Sequence, residues 1–559
     1  MMDETAEINY AWARALFDGL SGAGVRRVVL SPGSRSTPLA LAAARHPALR
    51  IQVVLDERGA AFFALGAARA TGAPVALVAT SGSAVSEWLP GVTEADLARV
   101  PLILLSADRP PELRQCGANQ TIDQPGLFGS RSRFSLELPL PERALLPTAC
   151  RAATQAVAAA RWPLPGPVHL NVPLREPLTP GREGPPLTVR TARVSRPLLQ
   201  PDPGHLDELA GRISGRPGLI VCGPEAGEPL PAGAIAGLAA ACDAPLLVDP
   251  LSNLRCGTHD RSRVIADYDA CLRRQRFRQT AAPEWVLRFG AMPVSKVLGE
   301  FLHGLPGGEM ILVDPHGRWP DPLQRASDLF QADPAAVARE LARRVRPMPG
   351  GYLAAWRARA TAAAAVVAGR LPAEGRLIRE LGARLPPETR LFSGNSLAVR
   401  QLDWFLEGRC EPLRIFCNRG ASGIDGNLAT LLGIASDGAA PTVGLIGDLT
   451  LAHDIGALAE TAAARAVILV LDNGGGAIFD HLPQSALPEH EALFTTPRRF
   501  DLRAAAGAFG LGYRESAPQT LAGDLAWALE HASSTLLHVP IGRARSLEQH
   551  RRLWEGLAN

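Results

Sequence analysis

The chain has 559 residues, 47% of them apolar and 20% charged, which is the balance of a water-soluble globular protein long enough for three or four domains. Its net charge of +3, from 58 basic and 55 acidic residues, comes without a long run of one sign. Neither nucleic acid nor an anionic membrane surface is therefore an expected partner. The apolar runs fall short of the roughly 18 residues a membrane span needs, and the acidic, polar start MMDETAEINY is no signal peptide. No integral membrane association is expected.

In chain order, the first block alternates strand and helix patterns from about residue 8 to 175. These are VRRVVLSP, STPLALAAARH, IQVVLDE, AAFFALGAARATG, PVALVAT, PLILLSA and PGPVHLNVPL. A Pro-rich, polar stretch from Leu174 to Pro203 reads as a linker. The second block carries strand patterns PGLIVCG, APLLVDP, EWVLRFG and EMILVDP, and ends at a second linker from Arg346 to Gly351. The third starts near Tyr352 and carries TRLFSGN, LRIFCN, PTVGLIG, AVILVLD and TLLHVPI, with ALAETAAARA helical in composition. The expected fold class is α/β, with three domains at 1–180, 195–346 and 352–559, each a mainly parallel sheet flanked by helices.

Two compositional features bear on function. Eight cysteines are scattered without a C-x-x-C pair, which indicates buried thiols in a reducing cytoplasm rather than a zinc site or a disulfide framework. Of the 58 basic residues only Lys296 is Lys. A compact ammonium with three rotatable donors is a geometry Arg cannot reproduce. H-E-x-x-H, G-x-S-x-G and Walker A patterns do not occur, so metalloprotease, hydrolase and P-loop chemistries lack support.

The densest chemical signal lies between Thr442 and Phe479. PTVGLIG ends at Gly447-Asp448, and AVILVLD ends at Asp472-Asn473 followed by Gly474, Gly475 and Gly476. Asp448 and Asn473 are thus expected at the C-terminal ends of neighbouring parallel strands, where open α/β sheets bind ligands. A carboxylate and an amide, both hard oxygen donors, suit an octahedral Mg²⁺ that also takes phosphate oxygens. An acidic turn with Asn about 25 residues later is how thiamine diphosphate enzymes hold the cofactor's diphosphate.

Further motifs make the pattern specific. The first block contains SPGSRSTP from Ser31, DERGA from Asp56, ATSGS from Ala79, DRPPEL from Asp108 and GANQTI from Gly117. The third contains NRGASGIDG from Asn418. Together with Gly447-Asp448 and Asp472-Asn473 this set resembles the 2-succinyl-5-enolpyruvyl-6-hydroxy-3-cyclohexene-1-carboxylate synthases, the thiamine diphosphate-dependent transferases of menaquinone biosynthesis. The match runs in order from Arg35 to Phe479 and is weakest in the middle block.

The resemblance implies a pyrimidine-binding first domain, a central domain without cofactor, and a third domain for the diphosphate and Mg²⁺ (or Mn²⁺). It implies a homodimer or homotetramer with the site shared between subunits. The implied substrates are 2-oxoglutarate and isochorismate, the first decarboxylated and its succinyl unit added in a 1,4 sense to the second. Glu57 would be the catalytic carboxyl at the aminopyrimidine ring. Gly447, Asp448 and Asn473 would bind cofactor, with Asp448, Asn473 and the Gly475 carbonyl as metal ligands and Ile424 propping the cofactor in its bent form. Arg400 and Arg419 would meet the succinyl carboxylate. Ser34, Arg35, Arg109, Gln120, Lys296 and Ser396 would meet isochorismate or the keto acid, with Asn119, Ile478 and Phe479 also lining the pocket. Two departures stand out: Asp472 where the family has Asn, and Val297 where it has a second cation. The alternative is another thiamine diphosphate carboligase or a 2-oxoacid decarboxylase.

Overall fold

The computed structural model describes residues 2–181, 190–348, 350–498 and 500–558. Among them lie three six-stranded sheets in which every strand pairing is parallel. The central strands are buried along their whole length, such as Leu102–Asp108 and Gly218–Cys222. Continuous apolar runs of this kind are what a parallel sheet covered on both faces requires.

The chain forms two compact units. One comprises Met1–Arg196 with Asn418–Ala439 and His453–Arg465. Its sheet runs in the order Arg50–Val53, Arg27–Leu30, Val75–Ala79, Leu102–Asp108, Val168–Pro173, Ser135–Glu137. The helix Glu57–Thr71 starts at Asp56, whose carboxylate accepts the amides of Arg58 and Gly59, and stops at Gly72 in the left-handed conformation. Small residues let it approach the helix Asn427–Ala435 at backbone distance. A Cβ on Gly66 would lie 2.1 Å from the Thr430 carbonyl oxygen, and one on Gly433 would lie 2.0 Å from that of Phe63. That approach explains why a segment of the third block belongs to this unit.

The other unit comprises Pro197–Cys417, Ala440–Ala452 and Ala466–Asn559 and holds two sheets. The third sheet, Leu413–Phe416, Thr389–Ser393, Thr442–Gly447, Val467–Asp472, Thr535–Pro540, Gly512–Glu515, repeats the strand order of the first. The middle sheet has a different order: Asp328–Phe330, Glu309–Val313, Trp285–Phe289, Gly218–Cys222, Leu246–Val248, Val264–Ile265. A buried ion pair ties the two together. Arg255 donates to Asp403 at 2.8 Å, and Tyr268 donates to the same carboxylate at 2.7 Å.

Four strands escape the sequence patterns: Ser135–Glu137, Val264–Ile265, Asp328–Phe330 and Gly512–Glu515. The stretch expected as a helix at ALAETAAARA is a 3₁₀ run, Ile455–Ala462, preceded by a short α-helix, Asp448–His453, directly on the strand end.

Candidate active site

The strands Thr442–Gly447 and Val467–Asp472 are neighbours, with Gly447 opposite Leu471. Asp448, 3% exposed, opens the helix that follows the first; Asn473 follows the second. Asp448 Oδ2 and Asn473 Oδ1 are both buried and have no hydrogen-bond partner. Burial, reinforced by the charge of Asp472, pushes the Asp448 carboxyl up to about 7. A buried carboxylate that is costly to ionise and has an orphaned oxygen is a group that a cation stabilises. Gly475 has φ +138°, and a Cβ there would lie 2.5 Å from the Thr495 carbonyl oxygen, so the turn admits glycine alone. A carboxylate oxygen and an amide oxygen left without protein partners are both hard donors and fit Mg²⁺.

Asp472, the departure from the family amide, is hydrogen-bonded away from this set. Its Oδ2 pairs with His538 Nε2 at 2.9 Å and its Oδ1 accepts the Gly474 amide at 3.1 Å. His538 Nδ1 in turn meets the Tyr513 hydroxyl at 2.9 Å. In the same unit, half-buried Ile478 and Phe479 lie on a 3₁₀ turn, with Phe479 5.6 Å from the Phe494 ring. Ser396 caps the helix Leu397–Phe405 at φ +65°, and its carbonyl accepts Arg400 Nη1 at 2.5 Å. Lys296, 83% exposed, opens a helix and pairs with Glu300 at 3.7 Å.

The other candidates lie in the first unit. Glu57 is half-buried in the first turn of its helix. Burial raises its pKa, a backbone hydrogen bond opposes this, and Asp56 and Glu87 raise it further. The preceding strand ends at Val53, and the Asp56 carboxylate caps the helix. Arg35 is buried beneath the exposed Ser34; it donates to the Leu174 carbonyl at 3.1 Å and to Glu176 at 2.7 Å, while its Nε has no partner. Arg109 donates to Ser81 Oγ and to the Gln120 carbonyl. Burial lowers the Arg109 pKa and the nearby Arg35 guanidinium lowers it further. The charges of Asp108 and Glu176 oppose both effects. Gln120, at φ +54°, donates to the Ser81 carbonyl at 2.9 Å, and Asn119 is exposed beside it. Arg419 and Ile424 are half-buried in the NRGASGIDG loop.

Three supporting groups were not legible as motifs. Glu94, 2% exposed on the helix Leu89–Ala98, accepts the amides of Gly420 and Ala421 at 2.8 and 2.6 Å and so fixes the loop of Arg419. A buried chain runs from the Gly82 amide to Gln124 (3.1 Å), Asn171 (2.8 Å) and Asp108 (2.8 Å), where Arg114 closes it at 2.9 Å; it braces the loops of Arg109 and Gln120. The third group centres on Arg543.

This fold is that of a thiamine pyrophosphate enzyme. Residues 11–127 match the N-terminal thiamine pyrophosphate-binding domain model, and residues 209–393 match the thiamine pyrophosphate enzyme middle-domain model. The solved benzoylformate decarboxylase from Polynucleobacter necessarius shares the fold, with a TM-score of 0.69 at 18% identity over 95% of this chain and 98% of that one. The chain belongs to the 2-succinyl-5-enolpyruvyl-6-hydroxy-3-cyclohexene-1-carboxylate synthase family. It is 45% identical to the synthase of that name from Dechloromonas aromatica, over 95% of this chain and 97% of the relative. It is 42% identical to that from Chloroflexus aurantiacus, over 100% of this chain and 98% of the relative.

Proposed function

We propose that the chain decarboxylates 2-oxoglutarate with thiamine diphosphate and adds the succinyl unit 1,4 to isochorismate, forming 2-succinyl-5-enolpyruvyl-6-hydroxy-3-cyclohexene-1-carboxylate for menaquinone. The observation that carries this reading is the pair of buried, partnerless oxygens of Asp448 and Asn473 at neighbouring strand ends, in a chain of this family. Asp448, Asn473 and the Gly475 carbonyl would hold Mg²⁺ or Mn²⁺, with Gly447 beside the diphosphate. When bound, thiamine diphosphate supplies the nucleophilic carbon and takes up the electrons that carbon dioxide leaves behind.

The chain's own groups do the rest. Glu57, with its raised pKa, holds a proton against the aminopyrimidine ring. Arg35 and Arg109, with Ser34, Gln120, Ser396 and Lys296, take the carboxylates of isochorismate or the keto acid; Arg400 and Arg419 take that of the succinyl unit. Asn119 would also contact substrate. Ile424, Ile478 and Phe479 would keep water from the cofactor. Val53 and Leu55, 51% and 75% exposed just before Glu57, are apolar surface that a second copy would cover, in a homodimer or homotetramer. Among the described residues no helix is long and apolar enough to cross a membrane, which suits a cytoplasmic enzyme.

An ultraviolet assay of isochorismate consumption tests the reading. Turnover should need thiamine diphosphate, Mg²⁺ and 2-oxoglutarate together, and Glu57→Gln should lower it by at least about a hundredfold. Carbon dioxide release without loss of isochorismate would instead assign another thiamine diphosphate carboligase or a 2-oxoacid decarboxylase.

A further inference from the structure

Arg543 opens the C-terminal helix Arg543–Ala558. The chain reaches it from the strand Thr535–Pro540, and the Ile541 amide donates to the Asp472 carbonyl at 2.7 Å. Its backbone is therefore fixed beside the end of the strand that leads into Asn473. Its guanidinium is spent on Asp480, Glu491 and Thr495. Nε donates to Asp480 Oδ2 at 2.6 Å and Nη2 to Asp480 Oδ1 at 2.7 Å, a bidentate fork. Nη1 donates to the two Glu491 carboxylate oxygens at 3.0 and 2.9 Å, and Nη2 also donates to Thr495 Oγ1 at 2.9 Å. His490 Nε2 shares Asp480 Oδ1 at 2.8 Å. Burial would raise the Asp480 pKa, but the hydrogen bonds from Arg543 and His490 outweigh it and hold the carboxyl below its usual range.

The acceptors all lie on residues 480–495, part of a segment made of short 3₁₀ and π turns. Such a segment has little ladder of its own to define its shape. Its two ends are the parts of interest. At one end, Asp480 follows Ile478 and Phe479 directly. At the other, the fully buried Thr495 accepts the Gly476 amide at 2.7 Å through its carbonyl oxygen, the same atom that a Cβ on Gly475 would strike. Arg543 thus grips both the residue against which Gly475 is packed and the residue that follows the pocket wall.

We propose that Arg543 is a positioning residue for the site: through Thr495 it sets the Gly475 turn that supplies a metal-ligating carbonyl, and through Asp480 it sets the Ile478–Phe479 wall. This rests on the metal and pocket roles assigned above. The planar fork is what the task demands, because one group must satisfy a carboxylate bidentately and a hydroxyl at once; a Lys ammonium cannot. Since nearly all cations of this chain are Arg, the residue type alone argues nothing; the geometry does.

The test compares wild type with Arg543→Lys, Arg543→Gln and Asp480→Asn, using Arg384→Gln, which loses only a surface pair with Glu380, as control. Two readouts are taken without substrates: Mg²⁺-dependent thiamine diphosphate affinity by calorimetry, and amide hydrogen exchange of the metal-free protein. Arg543→Lys and Arg543→Gln should each weaken affinity by about ten- to a hundredfold, the usual cost of losing a group that orients a ligand. Amides 476–495 should exchange at least about tenfold faster, while the strands Thr442–Gly447 and Val467–Asp472 keep their protection. Should Arg543→Gln fail to fold, Asp480→Asn carries the same expectations. Unchanged affinity, or protection lost evenly across the unit, would overturn the proposal and leave Arg543 a stabilising anchor. Wild type that does not bind the cofactor would overturn the site reading itself, and the positioning role with it.

Discussion

His169 shows how little of a buried network is legible one residue at a time. In sequence it is one of two polar residues, with Asn171, in an otherwise apolar strand. In the fold it is 1% exposed, 2.7 Å from Ser106 Oγ, and edge-on to Phe128. Burial lowers its pKa to about 4. The unfolded chain takes up this proton near pH 6.5, the folded chain only near 4. Its contribution is therefore fully present above about 6.5 and is lost as pH falls towards 4. Relative to His169→Gln, wild type should lose about 2 kcal/mol of stability in urea between pH 7 and pH 5. A difference that stays flat over that range would show that the imidazole does not stay neutral in the fold. At this scale the placement of Asp448 and Asn473 at neighbouring strand ends was legible because an apolar run ends at each. The bracing partners were not: Asp108 meets Asn171, and Asp480 meets Arg543, each 63 positions away, and no local pattern encodes such a meeting.

The elements that the sequence patterns miss share one property. Ser135–Glu137, Val264–Ile265, Asp328–Phe330 and Gly512–Glu515 are all edge strands of two to four residues. An edge strand is covered less than a central one, so it needs no apolar run and offers no periodicity to read. The 3₁₀ run at Ile455–Ala462 was mistaken for an α-helix because alanine-rich composition does not report hydrogen-bond register. Helix packing, by contrast, makes a sharp prediction. Gly66→Val places branched carbons where the Thr430 carbonyl already lies 2.1 Å from a Cβ, so the two helices must part. The expected cost is about 1–3 kcal/mol, seen as a lower thermal midpoint. Gly211→Ala, at an exposed position of the helix Pro203–Ile213 with nothing within 4 Å of the new Cβ, should raise the midpoint instead. Equal effects from the two substitutions would mean that backbone approach is not what holds Asn427–Ala435 to the first unit.

At the scale of the whole molecule, three blocks could be read from the two linkers, but the division into compact units could not. The segments Asn418–Ala439 and His453–Arg465 leave the third block for the first unit, and Glu94, Asp454 and the paired glycines are the groups that hold them there. Asp448 and Asn473 remain with the other unit, on strand ends whose unsatisfied oxygens make the ligand-free protein less stable than its core would allow. Binding should therefore appear as stability, independent of turnover. A ligand specific for the folded state at a hundred times its Kd adds about 2.7 kcal/mol. Thiamine diphosphate with Mg²⁺ should raise the thermal midpoint of wild type, and a chelator should reverse most of the gain. Asp448→Asn should melt no lower than metal-free wild type, because it removes a carboxyl that burial already makes costly to ionise, yet it should gain almost nothing from cofactor and metal. If Asp448→Asn gains as much as wild type, the cation is held elsewhere, and the strand-end oxygens have another partner.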